Sequence, residues 1–66
     1  MTLQQLRYVV EVSRNGSISR AAQNLFVTQP SLSKAISDLE TEMGITIFQR
    51  TNRGVTLTEE GTRFLS

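Results

Sequence analysis

Two breaks set close together constrain this chain more than any other feature. Asn15-Gly16 tolerates the left-handed conformation that ends a helix, and Ser17 can cap the next one. The chain breaks again at Phe26-Val27, with Thr28 as the following cap. Between the breaks, Ile18, Ala21, Ala22 and Leu25 repeat at i, i+3, i+4 and i+7, the pattern of one buried helix face. A helix of about two turns is unstable alone, so its neighbours must hold it. The paired alanines let another helix backbone approach closely.

Both neighbours read as helices. Thr2 and Gln5 have the spacing of a capping box, and Leu3, Leu6 and Val10 define one face that Val9 and Val12 widen. After the second break, Thr28 caps a third helix and Val27 can staple onto Leu32. Pro30 falls in the first turn, where its missing N–H is no loss. Leu32, Ala35, Ile36, Leu39 and Met43 mark the expected core stripe, and Gly44 supplies the C-terminal cap.

The period then changes. Ile45, Ile47 and Phe48 favour extended structure, Thr51-Asn52-Arg53-Gly54 forms a turn, and Val55, Thr56 and Leu57 resume β character. A lone hairpin is marginal and must pack on the helices. Thr58 opens a fourth helix, with Glu59 and Glu60 at the positive end of its dipole and Phe64 and Leu65 offering an apolar face. The expected fold is mainly α with a small β-hairpin, a winged helix-turn-helix with a three-helix core and a two-stranded wing. It occupies residues 1–58, with the helix-turn-helix over about 18–43 and the wing over about 46–57. Residues 59–66 read as the start of a longer helix, truncated here.

Composition excludes several functions. With no cysteine and no histidine, the chain has no disulfide, no usual zinc ligand set and no Cys–His or Ser–His nucleophile. Asp38, Glu40 and Glu42 lie near one another in sequence but on differing helix faces, a poor acid–base pair. There is no Gly-rich phosphate loop. An enzyme is not expected, nor a cofactor in this segment. No apolar run approaches the roughly 20 residues that span a bilayer. The N-terminus lacks the basic and apolar regions of a signal peptide. A soluble, cytoplasmic domain without a membrane role is the expectation.

The chemistry lies on the third helix. At about 100° per residue, Pro30, Ser33, Lys34, Ser37 and Thr41 fall opposite the apolar stripe, with Gln29 at the leading end. Serine is a mediocre helix former, so Ser31, Ser33 and Ser37 are not there for helix stability. Small polar side chains let a helix lie deep in the major groove of DNA. Gln29 suits a bidentate contact to adenine, Lys34 suits guanine or phosphate, and Thr28, Ser31 and the first-turn N–H groups suit phosphate. Net charge is only +1, but residues 43–58 carry Arg50 and Arg53 and no acid. An arginine at a hairpin tip can enter a narrow minor groove. The candidate DNA-binding residues are therefore Thr28, Gln29, Pro30, Ser31, Ser33, Lys34, Ser37, Arg50 and Arg53. The alternative, a winged helix used only for protein–protein interaction, would want an apolar outward face on the third helix, and this one is polar.

Several runs also resemble a known family. Ser17-Ile18-Ser19-Arg20-Ala21-Ala22, Leu25, and Thr28-Gln29-Pro30-Ser31-Leu32-Ser33-Lys34 are similar to the N-terminal DNA-binding domain of LysR-type transcriptional regulators. Leu39-Glu40, Gly44, Phe48-Gln49-Arg50 and Leu57-Thr58-Glu59-Glu60-Gly61 continue the match in order. The resemblance covers essentially the whole chain. It implies a bacterial regulator that reads double-stranded operator DNA, with the third helix in the major groove and the wing at the minor groove. The positions matching Gln29, Pro30, Ser33, Lys34 and Arg53 would lie at the DNA. It further implies that the fourth helix is a linker pairing with its twin in a homodimer. A small-molecule effector would bind a C-terminal domain absent here. Tyr8 stands where the family usually has Phe, Lys34 where it has Arg, and Glu60 where it often has Ala. Lysine offers a point charge instead of a planar fork, which favours a phosphate role for Lys34.

Overall fold

In the computed structural model, which describes residues 1–66, three helices are followed by a hairpin and a short fourth helix. They are α1 (Leu3–Asn15), α2 (Ile18–Leu25), α3 (Gln29–Met43), β1 (Phe48–Thr51), β2 (Gly54–Leu57) and α4 (Glu59–Leu65). Each helix starts at a hydroxyl. Thr2 and Gln5 form a reciprocal capping box, while Ser17, Thr28 and Thr58 accept the backbone N–H of Arg20, Ser31 and Gly61. Such caps contribute about 1 kcal/mol each.

The core is Tyr8, Val9 and Val12 of α1, Ala21 and Ala22 of α2, Leu32, Ile36 and Leu39 of α3, and Ile47 and Val55 of the wing region. Burying one such Leu, Ile or Val is worth about 1.5–3 kcal/mol. The alanines do let the helices close in, and both are buried. Two expectations are corrected. On α1 the buried stripe is Tyr8-Val9-Val12, while Leu3 is 76% exposed and Val10 39%. Both stripes satisfy a helical period, and α2 and α3 cover only one of them. At the far end of α3, Met43 is also exposed, because the chain has turned away at Gly44.

α2 and α3 end in the same device. Phe26 N–H donates to Gln23 O and Val27 N–H to Ala22 O; Gly44 N–H donates to Thr41 O and Ile45 N–H to Glu40 O. This bond pair requires a left-handed residue at its centre. Gly44 meets that need at φ 69° without strain. Phe26 meets it at φ 59°, where an L side chain is disfavoured by roughly 1–2 kcal/mol. Its ring gains nothing inside the chain in return, being 95% exposed.

The wing is an antiparallel pair in which Phe48 faces Leu57 and Arg50 faces Val55, joined by Asn52 and Arg53. Val55 N–H donates to Gly16 O at 3.1 Å, clasping β2 to the α1–α2 turn. That approach needs glycine at position 54, where a Cβ would lie 2.2 Å from Gly16 O. The β character of Ile45 and Ile47 does not extend the strand backward. Ile47 is a fully buried plug whose N–H donates to the Glu40 carboxylate at 2.7 Å, and whose carbonyl accepts Thr58 N–H at 2.9 Å. The chain therefore starts pairing only at Phe48. The start of α4 lies flush on the same residue: a Cβ at Gly61 would sit 2.2 Å from Ile47 O.

Candidate nucleic-acid interface

All nine candidate residues are exposed. Thr28, Gln29, Pro30 and Ser31 form the leading end of α3, and Ser33, Lys34 and Ser37 run along its outer side. At the cap, Thr28 Oγ1 accepts Ser31 N–H at 3.2 Å and donates to Ser31 Oγ at 2.9 Å. The Thr28 proton is thereby used internally, and the Ser31 hydroxyl keeps its own proton for an outside acceptor. Leu32 N–H bonds Thr28 O, and Pro30 has no N–H. The first turn thus has one free backbone donor, Gln29 N–H, rather than several. Its anion-binding capacity rests on that N–H, the Ser31 hydroxyl and the positive end of the helix dipole.

Farther along, Lys34 Nζ lies 3.0 Å from Asp38 Oδ2, four residues on, with both side chains more than half exposed. An exposed pair of this kind is worth at most about 1 kcal/mol, so phosphate can displace Asp38 readily. The chain's other two ion pairs are Met1 with Glu42 and Arg63 with Glu59. Asp38, Glu40 and Glu42 thus have three unrelated partners and form no carboxylate pair. Arg50 and Arg53 are in none of these ion pairs.

The wing is held beside the helix. As register partners, Arg50 and Val55 share a hairpin face, and that face looks onto α3. Ser33, Ser37 and Glu40 line one side of a groove of about 160 Å³, with Phe48, Arg50 and Val55 on the other. Arg50 therefore joins the serine face, while Arg53 stands alone at the tip, its N–H held by Thr51 Oγ1 at 3.2 Å.

Sequence reasoning missed the residue that sets this spacing. Glu40 Oε2 accepts the N–H groups of Ile47 at 2.7 Å and Phe48 at 3.3 Å, tying the middle of α3 to the root of the wing. Only a Glu one helical turn beyond Ile36, on the edge of the core stripe, hinted at it. Away from this surface, Glu11 accepts the side-chain amides of Asn15 at 2.8 Å and Asn24 at 3.1 Å. These bonds, Asn15 first, hold its carboxyl below the ordinary carboxylate range, against a smaller opposing effect of burial.

A short helix and a longer exposed one at a tight turn, with a clasped hairpin alongside, define a winged helix-turn-helix DNA-binding domain. A family model described as bacterial regulatory helix-turn-helix protein, lysR family, matches residues 3–62. The chain belongs to that family, whose members are regulators and not enzymes. It is 45% identical over 65 residues to the HTH-type transcriptional regulator ClcR of Pseudomonas putida, covering 98% of this chain and 22% of ClcR. The chain spans about a fifth of the length of the first curated relatives it matches. The solved BenM DNA-binding domain, in complex with catB site 1 DNA, superposes with a TM-score of 0.92 at 43% identity, covering 98% of this chain and 70% of that one. The CbnR DNA-binding domain in complex with DNA gives 0.92 at 35% identity, covering 98% and 75%. No helix here is long and apolar enough to cross a membrane.

Proposed function

We propose that this domain reads operator DNA as one half of a homodimer in the bacterial cytoplasm, with α3 in the major groove and the wing against the minor groove or backbone. One observation carries the reading: the exposed serine-lined face of α3 runs into Arg50, with Arg53 beyond it, and neither arginine has an ion-pair partner. Short side chains bring the helix close to base edges, and arginine supplies charge where the phosphates converge. Gln29, exposed at the leading end, reads adenine through its amide. Lys34, the Ser31 hydroxyl and Gln29 N–H position the backbone, and Ser33 and Ser37 leave room for the groove floor. The relatives in complex with DNA, BenM and CbnR, support the docking. Two copies, paired through a continuation of α4, would meet half-sites about one helical turn apart, or a multiple of it. A small-molecule effector, in this reading, binds outside this segment, and no cofactor takes part within it.

Selection from randomised duplexes, followed by Gln29→Ala on the selected site, tests the proposal. Gln29→Ala is expected to cost about 1–3 kcal/mol and to relax preference at one base pair. An equal loss on selected and random DNA would show that Gln29 reads no base.

A further inference from the structure

The Phe26 backbone ends α2, but its side chain takes no part in the core, the caps or the candidate interface. It sits at the centre of the α2–α3 turn, strained at φ 59° and 95% exposed. Two comparisons make it unusual. The identical turn after α3 uses Gly44, so the backbone device has no need of a side chain. Leu3, Val10, Met1 and Met43, the other exposed large apolar residues, are all less exposed than Phe26. An aromatic ring this exposed, on a backbone conformation that favours glycine, is free to meet a partner outside the chain.

The surroundings identify the chemistry of that partner. Phe26 precedes the α3 cap by two residues, at the end of the helix that presents Gln29, Pro30 and Ser31. The Glu11 carboxylate is taken up by the side-chain amides of Asn15 and Asn24 and lies on the α1 side of the turn. A partner reaching this lip meets the positive end of the α3 dipole and one apolar ring. DNA complements both: its phosphates match the helix dipole, and its groove wall presents carbon surface as thymine 5-methyl groups and deoxyribose C–H edges. We propose that Phe26 packs on this apolar surface at the groove edge, an anchor for α3 that carries no charge. The proposal rests on the reading that α3 enters the groove.

The test uses Phe26→Gly and Phe26→Tyr on the selected duplex. Glycine removes the ring and the left-handed strain together, so thermal stability should hold or rise. Affinity should nonetheless fall, by about five- to tenfold for an apolar contact of partial-ring size. Because no counterion is released by a phenyl ring, the salt slope should stay as in the parent. Phe26→Tyr keeps the ring and should bind nearly as the parent does. Replacing each thymine in turn by deoxyuridine assigns the surface. A loss at one position that vanishes in Phe26→Gly identifies a methyl group, and no loss at any position identifies the sugar edge. Undiminished DNA affinity in Phe26→Gly overturns the proposal, as does a loss that follows a lowered melting temperature. Gln29→Ala is measured alongside. If it weakens binding while Phe26→Gly does not, only the Phe26 assignment fails; if both bind as the parent does, the groove reading fails with it.

Discussion

The contact that most repays perturbation is the carboxylate of Glu40. It is half-buried, and one oxygen accepts two backbone N–H groups at the root of the wing, at 2.7 Å from Ile47 and 3.3 Å from Phe48. A hydrogen bond to a charged acceptor contributes about 1.5–3 kcal/mol, and a buried N–H left unpaired costs about 1–3 kcal/mol. Ile47 is fully buried, so Glu40→Ala strands its N–H with little access to water. The expected loss is about 2–3 kcal/mol, from a domain whose whole stability is on the order of 3–10 kcal/mol. At about 4–8 °C per kcal/mol for a chain of this size, the melting temperature should fall by roughly 10–20 °C. Circular dichroism melts at neutral pH measure it. Hydrogen exchange separates local from global loss: the amides of Ile47, Phe48 and β2 should lose protection before those buried in α1 and α3. Glu40→Gln retains an acceptor and should lose about 1 kcal/mol. A Glu40→Ala melt within about 2 °C of the parent, with protected wing amides, would refute the idea that α3 positions the wing through this residue.

Other perturbations separate further parts of the structure. Gly61→Ala would ordinarily strengthen a helix by about 1 kcal/mol, but here the new Cβ meets Ile47 O, so overpacking should destabilise the chain by about 1–3 kcal/mol. A higher melting temperature for that variant would contradict the close seating of α4. The folded Glu11 carboxyl titrates below its unfolded value, so its contribution is present above the unfolded pKa and lost as pH falls through the folded one. Between about pH 5 and 3 the parent should therefore lose more stability than Glu11→Gln; equal losses would remove the Asn15–Asn24 bonds from the acid response. Asp38→Asn frees Lys34 and takes a carboxylate, repelled by phosphate, from the side proposed to face DNA. Affinity should rise a few fold and the salt slope steepen by about one phosphate, and unchanged binding would place Lys34 away from the backbone.

Local signals carried most of the fold because they act locally. The hydroxyls at Thr2, Ser17, Thr28 and Thr58 mark four helix starts from their own side chains and the periodicity that follows. The helix-turn-helix and the hairpin followed from caps, turns and β-formers in the same way. What stayed hidden depends on partners distant in sequence. Leu3, Leu6 and Val10 have as good a helical spacing as Tyr8, Val9 and Val12, and only the position of α2 and α3 decides between them. Ile47 is a β-former by residue type, yet Glu40 and Thr58, distant in sequence, take its backbone groups. At the candidate site, polar residues opposite an apolar stripe had to face outward, and they do. The Lys34–Asp38 pair and the single free N–H at Gln29 depended on rotamers and hydrogen-bond geometry, which residue types alone leave open.

The hydrogen bond from Val55 to Gly16 has a consequence for the DNA rather than for the protein. A wing attached to the α1–α2 turn, and through Glu40 to α3, must break these hydrogen bonds to swing along a duplex; while they hold, the domain acts as a gauge of fixed width laid across it. Duplexes differ in twist and in minor-groove width according to their base steps, and a rigid gauge leaves that adjustment to the DNA. On the proposed geometry, flanking base pairs that no side chain touches therefore enter the binding energy through their stiffness. Inserting one base pair between the segment under α3 and the segment under the wing shifts the grooves out of phase with a gauge that cannot lengthen.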